Sequence, residues 1–291
     1  MPTAAPRLSS FFTNRFRAAL WIVALAGAVA LVATVVFGLR PRHHAGPNVR
    51  RTLVGAYILR VGRIQVGMAK QVQVIDKQYK EFTHNPSALA KRVPQYRSAE
   101  RTLALLRRRL GAVDPPREAR KLHTLLLALA SQNVRVAAAV AGLAAYLPRL
   151  ASEQAPLRPA ILGLRAQVHK ARTAKAQAVA FAAYAATTAA VAARIARLPA
   201  PSFFVAARNA EVSQLRRLAT LATEVAGALA HKRPAVAQKL VAELGQVEAS
   251  TAVVRAQRAG ALAYNVLVKR LRVIGGQIDV ERKRLEKSLP H

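Results

Sequence analysis

Apolar positions along most of the chain recur every three or four residues, which is the spacing of one face of an α-helix. The longest stripe holds nine apolar residues between Leu53 and Phe82, and its narrow width is typical of a helix in a bundle or in a coiled-coil seam. No segment shows the strict alternation of a strand, and no Asn-Gly or Asp-Gly hairpin turn occurs. The sequence therefore predicts an all-α protein. The nine residues of the stripe are Leu53, Tyr57, Val61, Ile64, Met68, Val72, Ile75, Tyr79 and Phe82.

Proline and glycine divide this helical region into an elongated bundle of about five to six long helices. Asn85 and Asp114 precede prolines in positions that suit helix N-caps, and Pro94 is expected to kink the second helix. Gly275 and Gly276 are expected to bend or weaken the last helix. The predicted helices cover about 49–82, 86–112, 115–146, 160–198, 203–231 and 235–288.

Residues 18–39 form an apolar run without a single charge, closed by Arg17 and Arg40. At about 1.5 Å per residue the run measures about 33 Å, which matches the hydrocarbon core of a bilayer. A cleaved signal peptide is the alternative, but the run is too long for one and no small-x-small cleavage site follows it. The pattern predicts a single transmembrane anchor over 18–39, after a short basic tail over 1–17.

The orientation of this anchor is less sharply marked, because arginines stand on both sides of it. Large domains translocate largely regardless of charge, so we expect the tail inside the cell and residues 40–291 outside. This predicts a single-pass protein of the cell membrane. A second apolar run over 176–193 is rich in alanine and is interpreted as a closely packed bundle helix, with a second membrane span as the alternative.

Two segments resemble each other and predict two repeated helical hairpins. Residues 110–150 and 195–236 each contain a proline break, a long Ala/Leu helix and a second proline. Pro116 matches Pro201 at an offset of 85, and Pro148 matches Pro234 at an offset of 86.

The apolar N-terminal anchor followed by Ala/Arg-rich helices, with a break at Leu110, Pro115 and Pro116 and a following His123, resembles a group of proteins from high-GC bacteria. These are uncharacterised, signal-anchored or secreted all-helical proteins. The resemblance covers about 105–245, and it implies a helical fold at the membrane without bringing any activity or site residues.

Charge is the strongest chemical feature, since 46 Lys and Arg stand against 13 Asp and Glu, a net charge of +33. Solvated helix faces account for part of this excess, and attraction to polyanions is the functional interpretation. We expect contacts with anionic lipid or wall polymer at three groups of basic residues. They are Arg40, Arg42, Arg50 and Arg51; Arg107, Arg108 and Arg109; and Lys269, Arg270, Arg272, Arg282, Lys283, Arg284 and Lys287.

Patterns for catalysis or cofactor binding are missing from the sequence. There is no cysteine, the seven histidines have no metal-ligand spacing, and no nucleotide-binding or nucleophile motif occurs. Most acids have a basic residue within four positions and are interpreted as surface helix pairs, and the histidines as solvated or interfacial. We therefore expect a protein that is not an enzyme and has no metal or cofactor.

These observations favour a membrane-anchored scaffold or interaction protein whose basic faces hold anionic lipid or wall polymer. Two alternatives stay open: a sensor-like bundle outside the cytoplasm, which needs a pocket between helices, and a cytoplasm-facing nucleic-acid binder. The second is disfavoured because stacking aromatics are not interleaved with the basic residues. The stripe between Leu53 and Phe82 is also a candidate surface for self-association.

Overall fold

The fold of the chain is all-α, as predicted, in a computed structural model that describes residues 49–84 and 88–288. Side chains are described for 52–77 and 91–287, and the described residues contain no strand. The predicted anchor at 18–39 and the basic tail at 1–17 lie outside the described residues. The helices are α1 (Val49–His84), α2 (Ala88–Gly111), α3 (Arg120–Gln154), α4 (Leu157–Lys170), α5 (Ala174–Arg197), α6 (Val205–Ala230), α7 (Pro234–Ala249) and α8 (Ala252–Ser288).

The helices form two compact units, and each has its own core. We name residues 49–84, 88–145 and 262–288 the first unit, and residues 146–261 the second unit. The first unit contains α1, α2, most of α3 and the C-terminal part of α8. The second unit contains α4 to α7, the end of α3 and the beginning of α8.

The core of the first unit uses the apolar stripe that the sequence predicts on α1. Tyr57, Val61, Met68, Val72 and Ile75 are all buried. At the beginning of the helix the prediction is wrong by one residue, because Val54 is fully buried while Leu53 is 57% exposed. Val54 lies three residues before Tyr57, so it stays on the buried face of the helix.

The core of the second unit lies around α5 and α6, which are joined by a short connection. Val191, Ile195, Leu218, Leu221 and Val225 are completely or almost completely buried there. The shorter α4 packs on this core through an apolar edge, and α7 contributes Ala237 and Leu244 as its buried residues. Burial of this many aliphatic side chains, at about 1.5–3 kcal/mol each, provides the main stabilisation of the unit.

Two of the predicted long helices are each divided by a hydroxyl residue that caps a helix. The stretch 160–198 breaks before α5, where the Thr173 hydroxyl accepts a hydrogen bond from the backbone N–H of Ala176 at 3.2 Å. The stretch 235–288 breaks before α8, where the Ser250 hydroxyl accepts one from Ala252 at 3.3 Å. The sequence offered both signals, because threonine and serine are favoured N-caps.

A helix end predicted at one proline is absent, and the last helix is continuous at a glycine pair. The third helix was expected to end before Pro148, but α3 continues through it to Gln154. Tyr146 is buried on one side of this proline, and Leu150 packs on the core of the second unit on the other. These contacts compensate for the one backbone hydrogen bond that proline removes. The last helix also continues through Gly275 and Gly276.

The two similar segments begin their helices in the same way. Pro116 is followed by a 3₁₀ turn at Arg117–Ala119 and then by α3, and Pro201 is followed by one at Ser202–Phe204 and then by α6. Both prolines have nearly the same backbone angles and accept a hydrogen bond from the last residue of the turn.

Two helical stretches are long and apolar enough to cross a membrane by length and composition. They are Arg117–Lys170 and Ala174–Arg197, and half of the most apolar window in each is buried in the structure. In α5, Phe181, Tyr184, Val191 and Ile195 all belong to the core of the second unit. This agrees with the interpretation of 176–193 as an alanine-rich bundle helix.

Candidate anionic-surface site at one end of the first unit

Contacts between the helices of the first unit show which helix ends lie in the same half of the unit. Gly67 of α1 packs against Leu106 near the end of α2, and the Tyr57 hydroxyl lies 3.0 Å from Nδ1 of His123 near the start of α3. Lys121 reaches Glu281 near the end of α8. The beginnings of α1 and α3 and the end of α8 therefore lie at one end of this unit, and the end of α2 lies about 15 Å further along α1, where Arg107 donates a hydrogen bond to Ser131 at 2.8 Å. We name this half of the unit the basic end.

Most of the basic residues singled out from the sequence lie at this basic end. Segments 107–121 and 281–287 contain ten Lys and Arg residues against four Asp and Glu residues. Arg50 and Arg51 lie in the first turn of α1 at the same end. The predicted residues with exposed side chains here are Arg107, Arg108, Arg109, Lys283, Arg284 and Lys287.

Some predicted residues lie elsewhere. Lys269, Arg270 and Arg272 are exposed and lie about 16–21 Å along α8 from Lys283. Arg107 lies on the side of the basic end that faces these three residues, because it donates to Ser131, next to the Gln132 that donates to the carbonyl oxygen of Leu267. Arg40 and Arg42 lie outside the described residues. These two groups are not brought to the basic end by the described structure.

Arg282 differs from its neighbours because its side chain enters the unit. Its Nη2 donates a hydrogen bond to Oε1 of Gln65 at 3.1 Å. Burial lowers the pKa of the Arg282 guanidinium below its ordinary value, while the charges of Asp279 and Glu286 raise it. Arg282 therefore contributes to the interior of the bundle more than to its exposed surface.

Glu281 is the residue that sequence reasoning missed at this site. It was interpreted as part of a surface helix pair, but it is only 2% exposed. Its Oε1 accepts a hydrogen bond from Nε of Arg284 at 2.8 Å, and its Oε2 lies 3.1 Å from Nζ of Lys121. A signal was present, because Ile278 and Leu285, three residues before and four residues after it, are buried on the same helix face.

Opposing effects act on the Glu281 carboxyl. The hydrogen bond from Arg284 lowers its pKa, burial raises it, and the hydrogen bond from Lys121 lowers it again, with a net shift downward. The side chain is therefore a carboxylate at neutral pH. It places one negative charge beneath the exposed cations of the basic end and reduces the repulsion among them.

His123 is also buried, which corrects the expectation of solvated or interfacial histidines. Its position three residues before Leu126 and four after Ala119 puts it on the buried face of α3. Burial lowers the pKa of His123, and the charge of Asp114 opposes the shift. Burial raises the pKa of Tyr57 to about 12, so its neutral hydroxyl can donate to the unprotonated Nδ1.

Two small cavities lie between α1, α3 and α8. One of about 40 Å³ is lined by apolar side chains together with Tyr57, Gln65 and Arg282, and another of about 20 Å³ is lined by residues that include Val72 and Asn133. The larger volume holds a group about the size of one or two water molecules. Over the described residues, no group of three or more His, Asp or Glu side chains is placed to hold a metal ion.

The second unit contains a buried acid of its own. Glu211 is buried and accepts a hydrogen bond from Nε2 of Gln154, and Glu153 pairs with Arg194 at 2.6 Å. Burial and the charge of Glu211 raise the pKa of Tyr146 to about 12, although Arg208 lowers it. These groups connect the end of α3 to α5 and α6 and have no place in the basic end.

Comparison with protein families, with curated proteins and with solved structures finds no match for this chain. The chemistry of the basic end is that of a cationic surface, with exposed guanidinium and ammonium groups held by four helix ends. Such a surface can bind phosphate or carboxylate groups of a polyanion.

Proposed function

We propose that this protein is a non-catalytic helical scaffold of the cell membrane, and that its basic end binds the anionic headgroups of the bilayer that holds the 18–39 anchor. The observation that supports this most is the gathering of separate basic segments in one half of a four-helix unit. Arg107, Arg108 and Arg109 end one helix there, and Lys283, Arg284 and Lys287 end another. The proposal places residues 40–291 outside the cytoplasm.

The position of the basic end along the chain supports this arrangement. Nine residues, 40–48, separate the end of the predicted anchor at Leu39 from the beginning of α1 at Val49. A fully extended segment of this length spans about 30–33 Å, so the basic end is tethered close to the bilayer surface. Each basic residue near an anionic surface contributes about 1 kcal/mol, so four or five contacts suffice to hold the unit there.

The structure gives less support to a sensor-like bundle or to a nucleic-acid binder. A sensor-like bundle needs a ligand pocket, and the cavity beside Tyr57 has a volume of only about 40 Å³. A nucleic-acid binder needs exposed aromatic rings for stacking. Among the residues with described side chains, Phe203 is partly buried and the other aromatic residues are buried, namely Tyr57, Tyr96, Tyr146, Phe181, Tyr184, Phe204 and Tyr264.

The lipid contact can be tested by counting the anionic lipids retained by the full chain. The protein is purified from bilayers that mix phosphatidylcholine with phosphatidylglycerol, and bound lipids are measured by native mass spectrometry. We expect phosphatidylglycerol to be enriched on the wild-type protein. The triple variant Arg107→Gln, Arg108→Gln, Arg109→Gln is expected to lose at least half of that enrichment, because these exposed guanidinium groups bind phosphate.

A matched control removes the same charge from the second unit. Arg158, Arg172 and Arg255 are exposed there, and changing all three to glutamine is expected to leave the enrichment unchanged. Equal losses in both triple variants would mean that net charge alone attracts the lipid. If neither variant loses lipid but a soluble anionic wall polymer binds in a salt-sensitive way, the polymer is the ligand.

The orientation has its own test. Reporter domains that function only outside or only inside the cell are fused to His291. We expect the outside reporter to work. Activity of the inside reporter would contradict the envelope scaffold, and would direct attention to cytoplasmic polyanions such as nucleic acid.

A further inference from the structure

The outward face of α8 in the first unit carries a line of large apolar side chains. Leu262, Val266, Val273 and Val280 are exposed by 64, 63, 53 and 69%. The three valines are seven residues apart, and at about 100° per residue all four side chains fall within an arc of about 40°. We name these four residues the α8 seam.

The charges beside the α8 seam have one sign. Four exposed basic residues lie within about 60° of its line, namely Lys269, Arg270, Arg284 and Lys287. The acids of the same part of α8 lie elsewhere: Glu281 is buried, and Asp279 and Glu286 are about 120° or more from the seam. The face is therefore apolar along a narrow line and basic at both edges.

This pattern favours a helix as the occupant of the seam. Residues seven positions apart return to the same face of a helix, and one helix packs against another through such a line and a second apolar position in each heptad, which Leu262 and Val266 provide at the beginning of the seam. A helix that lies in a bilayer interface has an apolar face at least about 100° wide, which is much wider than the seam. Lys269 and Arg270 also interrupt the apolar line between Val266 and Val273.

The charges identify the kind of helix. A second copy of α8 would bring Lys269, Arg270 and Lys287 against basic residues of the same face, and it has no acid near the seam to pair with them. An acidic helix pairs with these residues while its apolar side chains cover the valines. We infer that the α8 seam binds an amphipathic, acidic α-helix of a partner protein through heptad-spaced apolar residues.

Gly276 marks a vacant position in this interface. It lies between Val273 and Val280 along the helix and about 60° from the line of the seam, and a Cβ atom added to it would contact nothing within 4 Å. Because glycine has no side chain, a partner helix has no side chain to pack against at this position. Filling it with leucine is expected to extend the apolar line without a clash inside the unit.

The test uses the full chain in phosphatidylcholine nanodiscs and a synthetic 28-residue helical peptide. The peptide has isoleucine and leucine at the two seam positions of each heptad and glutamate beside them, and a mirror peptide has lysine instead. Binding is followed by fluorescence anisotropy. We expect the acidic peptide to bind and the lysine peptide to bind at least tenfold more weakly.

Variants decide whether the peptide uses the seam. The double variant Val273→Ser, Val280→Ser is expected to weaken binding at least tenfold. The control variant Val179→Ser, Val236→Ser removes two exposed valines of the second unit and is expected to leave binding unchanged. Gly276→Leu is expected to strengthen binding at least threefold, and Lys269→Glu with Arg270→Glu to reverse the preference between the two peptides.

Three results would overturn the inference. One is equal binding to the wild type and the Val273→Ser, Val280→Ser variant. Another is energy transfer between two copies labelled at Val273→Cys, a site made specific by the absence of natural cysteine, because that would assign the seam to a second copy. The third is a fluorescence emission of the label at residue 273 that changes with the lipid composition of the nanodisc but does not change when the peptide is added. That result would assign the seam to the bilayer.

Discussion

Nζ of Lys121 lies 3.1 Å from Oε2 of Glu281, so that the start of α3 is connected to the end of α8 at the basic end. The lysine is 69% exposed and the glutamate 2%. A buried carboxylate thus holds an exposed cation at the surface proposed to meet the bilayer. This contact also lies beside Arg284, which binds the same carboxylate.

Glu281→Gln is expected to destabilise the basic end by about 1 kcal/mol, because charge-assisted hydrogen bonds become neutral ones and the cations lose their counter-charge. Hydrogen exchange of the α3 and α8 amides, measured on the full chain, reports this as faster local opening. Glu286→Gln is the control, since Glu286 is exposed on the same helix. Equal effects of the two changes would show that the burial of Glu281 is unimportant.

The pKa shifts predict a loss of stability toward acid in two steps. His123 has a lowered pKa, so its stabilising contribution is complete above its ordinary value of 6.5 and decreases as the pH falls below it. Glu281 also has a lowered pKa, so its contribution is complete above 4.5 and decreases below that pH. Thermal unfolding between pH 8 and pH 3 measures both steps.

His123→Gln is expected to remove the step that begins near pH 6.5 and to leave the step below pH 4.5 in place. The exposed His169 and His231 provide controls, because changing them to glutamine should preserve both steps. A first step that survives in His123→Gln would contradict the assignment.

Two glycines of α8 predict opposite outcomes for the same substitution. Gly276→Ala is expected to stabilise the protein by about 0.5–1 kcal/mol, because alanine loses less backbone freedom in a helix and the new Cβ meets open space. Gly260→Ala is expected to destabilise it, because the Cβ would lie 2.6 Å from the carbonyl oxygen of Phe203. Melting temperatures that move in the same direction would contradict this account of α8.

Thr188 predicts a stabilising core substitution in the second unit. Its side chain is fully buried, and its hydroxyl has no hydrogen-bond partner within the described structure. Thr188→Val keeps the shape and removes the buried hydroxyl, so we expect a gain of about 1 kcal/mol. Thr187→Val is the control, because the Thr187 hydroxyl donates to the carbonyl oxygen of Ala183 and lies closer to the surface. An equal or lower melting temperature for Thr188→Val would contradict the prediction.

Helical spacing was enough to predict the all-α class and the buried face of α1. Helix ends were harder to predict, because the capping hydroxyls of Thr173 and Ser250 lie inside stretches with uninterrupted helical composition. At Pro148 the opposite occurred, since packing on both sides of the proline outweighed its local effect.

The basic residues of the candidate site were visible in the sequence, but their meeting at one end was not. Arg109 and Lys283 are far apart along the chain, and only the antiparallel directions of α2 and α3 and the return of α8 place them in the same half of the first unit. Glu281 was missed because neighbouring basic residues suggest a surface pair, whereas its burial depends on which face of α8 meets α3.

The most direct test of the account is the distance of the basic end from the bilayer. Ala112→Cys and Ser98→Cys place a fluorescent label on exposed positions about 20 Å apart along α2, one at the basic end and one away from it. The labelled full chains are inserted into nanodiscs with phosphatidylglycerol and with quenchers on the lipid headgroups. We expect strong quenching at residue 112, weak quenching at residue 98, and a decrease of the quenching at residue 112 in high salt. Equal quenching at the two positions, or stronger quenching at residue 98, would contradict it.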